Sequence, residues 1–83
     1  MIDIKQVLIS EKLIDYIKQR GLSRQYQKVQ KFILSGEYKL VDLRIRHPKS
    51  QKVYYFRLNK QFRCLGRLDG DTLKIYHIDN HQN

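Results

Sequence analysis

Val53-Tyr54-Tyr55-Phe56-Arg57-Leu58, then Asn59-Lys60-Gln61, then Phe62-Arg63-Cys64-Leu65-Gly66-Arg67-Leu68: two strand-forming runs surround a short turn. β-branched and aromatic residues on either side of a three-residue polar break are the pattern of a β-hairpin. Side chains alternate along a strand, so Val53, Tyr55 and Arg57 share one face and Tyr54, Phe56 and Leu58 the other. In the second run Arg63, Leu65 and Arg67 form one set, and Phe62, Cys64, Gly66 and Leu68 the other. Packing Cys64 and Leu68 beside Phe56 leaves Arg57, Arg63 and Arg67 on a common outer face.

Charge makes that face informative. From Arg44 to Leu68 the chain holds Arg44, Arg46, Lys49, Lys52, Arg57, Lys60, Arg63 and Arg67, with no Asp or Glu, in a protein whose net charge is +9. The cations alternate with apolar residues, so they are carried on a folded scaffold and not on a basic tail. Arginines on the open face of a small sheet also serve as merely solvated positions. Three without a carboxylate repel one another, and phosphate is the natural counterpart because guanidinium forks bind it bidentately.

Outward from the hairpin, Ile2, Ile4 and Val7-Leu8-Ile9 read as a short first strand, and Ser10 as the N-cap of a helix from Glu11 to Arg20 stopped by Gly21. Ser23 is expected to cap a second helix, in which Tyr26, Val29 and Ile33 form the apolar stripe and Gly36 marks the end. Their three-residue connection predicts an antiparallel pair covering one side of a sheet. Leu40 to Arg46 alternates as a half-buried strand, His47 to Gln51 is a loop around Pro48, Asp69-Gly70-Asp71 is a tight turn, and Leu73 to Ile78 is the last strand. The expected architecture is one α+β domain over residues 1–83, two antiparallel helices packed on a small antiparallel sheet.

Composition narrows the function. Hydrophobic residues at 41% and nine aromatics support a core in 83 residues, one cysteine precludes an intramolecular disulfide, and no cysteine or histidine pattern supplies a structural zinc site. No apolar run reaches membrane-spanning or signal-peptide length, so a soluble, cytoplasmic protein without a membrane partner is expected, with nucleic acid the leading partner class. His77, alternating with Leu73 and Ile75, is expected to be a partly buried structural residue. Cys64 is expected in the core, His47 on the surface, and Tyr55 beside Arg57 where a base would stack.

The hairpin, the Asp69-Gly70-Asp71 turn and the closing Ile78-Asp79-Asn80-His81 together resemble the RelE/ParE superfamily of bacterial toxins. That resemblance implies two helices on a twisted antiparallel sheet, a cognate antitoxin protein as partner, and no cofactor. RelE-like members cleave messenger RNA on the ribosome and ParE-like members inhibit DNA gyrase, so a nuclease, a gyrase inhibitor and a non-catalytic nucleic-acid-binding regulator remain the alternatives. For the metal-independent nuclease, Arg57 and Arg63 match the family's basic positions and His81 falls near its C-terminal catalytic position. RNA cleavage by the 2′-hydroxyl needs a base and charge for the phosphorane, roles that suit His81 and the two arginines. Some members place a tyrosine after that position, which is lacking here, and His47 and Lys52 are the next candidate bases. Arg46, His47, Lys49, Lys52, Lys60 and Arg67 complete the expected RNA-binding set.

Overall fold

The computed structural model describes residues 2–80. Five strands form a mixed sheet in the order β1-β5-β4-β3-β2, with two helices completing an α+β fold. The strands are β1 (Gln6–Ile9), β2 (Arg44–Ile45), β3 (Val53–Arg57), β4 (Phe62–Asp69) and β5 (Thr72–Asn80), and the helices α1 (Glu11–Gln19) and α2 (Ser23–Leu34).

The hairpin forms with the expected faces. Arg57 faces Arg63, Phe56 faces Cys64 and Tyr55 faces Leu65 across β3 and β4. The Asn59 side-chain oxygen accepts from the backbone N–H groups of Gln61 (2.8 Å) and Phe62 (2.7 Å), so a single Asx residue closes the turn. Phe56, Cys64, Leu73 and Ile33 are fully buried, so the inner face of the sheet and the stripe of α2 share one core. Burial of Cys64 pushes its thiol up to about 12, and burial likewise raises the Tyr26 phenol. Both therefore stay protonated at neutral pH.

Ser10 caps α1 by accepting from the Leu13 N–H at 3.3 Å, and Gly21 takes φ +68° directly after the Arg20 C-cap. Tyr16 and Phe62 meet edge to face at 6.1 Å, and the Arg20 guanidinium lies 3.5 Å from the Tyr16 ring centroid, tying α1 to the start of β4.

Four expectations need correction. The sheet is not wholly antiparallel: β1 runs parallel to β5, with Val7 beside Leu73 and Ile9 beside Ile75. Parallel pairing needs a long crossover, which the intervening helices and strands provide. Ser23 is the first residue of α2 and not its cap; Leu22 precedes the helix and no side chain caps it. Leu40 to Arg46 is a strand only at Arg44–Ile45, because Tyr38–Val41 winds into a 3-10 turn and Asp42 adopts a left-handed φ of 54°. A residue at that φ breaks the two-residue alternation, however regular the apolar spacing looks.

The fourth correction is in β5. Leu65 pairs with His77 but Gly66 pairs with Ile75, so Tyr76 is an extra residue in a β-bulge. Past it the faces exchange: Ile78 is buried and His77, expected inside, is exposed on the outer face. Gly66 permits the close approach at this point. A Cβ there would lie 3.0 Å from Leu73 Cδ1 and 3.2 Å from the Lys74 carbonyl oxygen.

Candidate functional site

The outer face carries Arg57 and Arg63 as direct cross-strand neighbours, with Asp79 opposite Arg63 on β5. Beside them is an open cleft of about 390 Å³ lined by Ile45, Arg46, His47, Tyr55, Arg63, Leu65 and Asp79. Strand alternation delivers Tyr55, Arg63, Leu65 and Asp79 from three adjacent strands, and the chain leaving β2 adds Arg46 and His47 at the rim. Leu65 is an apolar floor beneath polar walls. The Arg63 guanidinium carbon lies 5.9 Å from the Tyr55 ring centroid, within cation–π range.

Two carboxylates from outside the acid-free stretch reach this face. Asp42 accepts from Arg44 Nε at 2.9 Å and lies 3.9 Å from Arg57 Nη2, and the hydrogen bond to Asp42 holds the Arg44 guanidinium more firmly charged. Asp79 stands next to Arg63. The expected carboxylate-free arginine face is thus partly neutralised at Arg57, while among the described residues no carboxylate lies within 4.0 Å of a charged nitrogen of Arg46 or Arg63.

Arg46, His47 and Arg63 therefore come together, with Arg57 adjacent. Arg67 is on the same outer face but borders a different depression, with Lys74 and Tyr76. Lys49 and Lys52 do not join the cleft: they line a separate hollow with Ile2, Asp3, Tyr54 and Leu68. Lys60 is exposed at the hairpin tip. His81 lies outside the described residues. Asp79, which lines the cleft, was not among the residues expected in the site, and His77 was not expected on this face. An isolated glycine inside a strand pattern, Gly66, is the one sequence signal that points to a bulge and hence to the exchange of faces.

An imidazole, two guanidinium groups, a phenol ring and a carboxylate around an open cleft suit an extended anionic ligand with a flat substituent. Arginine forks can neutralise a phosphate, an aromatic ring can stack a base, and an imidazole can carry a proton. No helix among the described residues is long and apolar enough to cross a membrane. No protein-family model matches the chain, and no curated protein matches it as a relative.

Proposed function

We propose that this protein is the toxin of a toxin-antitoxin pair, of the RelE/ParE kind with its two helices antiparallel, and that it is a metal-independent endoribonuclease cutting messenger RNA on the ribosome in the cytoplasm. The observation that carries the reading is the cleft where Arg46, His47, Tyr55 and Arg63 meet. A scissile phosphate rests between the Arg46 and Arg63 guanidinium groups, and the base beside it stacks on Tyr55. The 2′-oxygen attacks phosphorus, its proton passes to an imidazole, and the bond to the 5′-oxygen breaks to leave a 2′,3′-cyclic phosphate. Arg63 and Arg57 stabilise the extra negative charge of the phosphorane.

His47 is the imidazole held in the cleft. His81, which follows Asn80 in the sequence, is assigned as its partner in proton transfer: one imidazole takes the 2′-hydroxyl proton and the other supplies a proton to the 5′-oxygen. Arg67, Lys49, Lys52 and Lys60 hold flanking phosphates or ribosomal RNA, and the antitoxin neutralises the toxin by covering the basic face.

The reading is tested by induced expression with mapping of transcript ends and measurement of translation and replication rates. Cut messages with falling translation are expected. Halted replication with intact messages would favour gyrase inhibition, and neither effect would leave a non-catalytic nucleic-acid-binding regulator.

A further inference from the structure

The bulge in β5 puts two consecutive side chains, Tyr76 and His77, on the solvent side of the sheet. Tyr76 is 51% exposed and lines a depression of about 250 Å³ with Arg67 and Lys74, which are themselves cross-strand neighbours. An exposed tyrosine on a strand is ordinary. A tyrosine ring bordered by two cations, on the same face as a second tyrosine bordered by arginine, is a repeated arrangement.

We propose that Tyr76, Arg67 and Lys74 form a second nucleotide subsite, where a base of single-stranded RNA stacks on Tyr76 and its phosphate is held by Arg67 and Lys74. The inference rests on the ribonuclease reading and specifies its substrate as an unpaired strand. Tyr55 and Tyr76 lie on strands separated by β4, so the two platforms are roughly 10 Å apart, two inter-strand spacings. That is a short reach along an extended nucleic-acid strand. The competing partner of Lys74 is Asp69, at 3.0 Å, in an exposed ion pair that a phosphate displaces at small cost. Stacking requires a base face free of its neighbours, which a duplex does not offer. Aromatic platforms flanked by cations are how sheet surfaces bind single strands without reading sequence.

The test is fluorescence anisotropy with a labelled RNA of about a dozen nucleotides, 2′-methoxylated to prevent cleavage, alone and annealed to its complement. Tyr76→Ala should weaken single-strand binding about 5- to 140-fold, leave duplex binding unchanged and keep its melting temperature. Tyr76→Phe should bind like wild type, and Arg67→Gln should weaken both probes. Should Tyr76→Ala lose its fold, Tyr76→Leu carries the same expectation. Wild-type single-strand affinity in Tyr76→Ala, or an equal loss on the duplex, overturns the subsite and leaves the ribonuclease reading standing. A wild-type protein that binds neither probe overturns the subsite, and the ribonuclease reading is then decided separately by cleavage of ribosome-bound message.

Discussion

Gly66→Ala probes the feature on which the outer face depends. The added Cβ would meet Leu73 Cδ1 at 3.0 Å, Leu73 Cγ at 3.1 Å and the Lys74 carbonyl oxygen at 3.2 Å. Leu73 is fully buried and the carbonyl is backbone in a paired strand, so neither yields freely. Overpacking of this kind costs about 1–3 kcal/mol. Against it, replacing glycine reduces the freedom of the unfolded chain, which stabilises by about 0.4–1 kcal/mol. Taking the middle of each range, the net loss is about 1.3 kcal/mol, which in a domain of this size lowers Tm by roughly 5–10 °C. Thermal and urea unfolding followed by circular dichroism measure it. A double-mutant cycle with Leu73→Val, which removes the nearest atom, should recover part of the loss. An unchanged or higher Tm in Gly66→Ala would mean that β4 and β5 do not approach closely here, and the outward placement of Tyr76 and His77 would fall with that.

Other outcomes follow from the same geometry. Arg63→Ala should lower cleavage on the order of 10²–10³-fold while remaining folded by circular dichroism, because it removes a donor to the phosphorane; wild-type toxicity from a folded variant would remove Arg63 from the site. His47→Ala and His81→Ala should each lower single-turnover cleavage by about 10²–10⁴-fold, whereas exposed His77→Ala should change stability by no more than about 0.5 kcal/mol. Stability should fall with rising pH between the unfolded thiol's 9.0 and the folded Cys64 value of about 12, because the unfolded state loses a proton that the folded state keeps. Urea midpoints from pH 8 to pH 11 check the sign, and Cys64→Ala should flatten the slope. Binding to RNA should weaken steeply with salt, with a log–log slope near −3.5 to −4.5 for about five phosphate contacts.

The hairpin, the apolar stripe of α2 and the first helix were legible because each is a local period: two residues per repeat in Val53–Arg57, about three and a half along Tyr26, Val29 and Ile33. What escaped the sequence was non-local or broke a period. Parallel pairing of β1 with β5 joins residues far apart in the chain, and nothing within Gln6–Ile9 states its partner. Leu40 to Arg46 has the alternation of a strand, yet the left-handed turn at Asp42 overrides it. His77 was assigned to the wrong face because counting by twos from Leu73 passes through a bulge. The arginines were placed on the right face, but that face's carboxylates come from outside the acid-free stretch, Asp42 two residues before it and Asp79 from the far end of the next strand. Proximity in the fold, unlike composition of a segment, decides which charges meet.

The central claim is that Arg63 and His47 cleave RNA in the outer-face cleft, and purified protein acting on ribosomes programmed with an end-labelled message tests it most directly. Cleavage within the ribosome-covered segment, leaving a 2′,3′-cyclic phosphate and lost in Arg63→Ala, is predicted. An intact message at protein concentrations that saturate the ribosomes would contradict it.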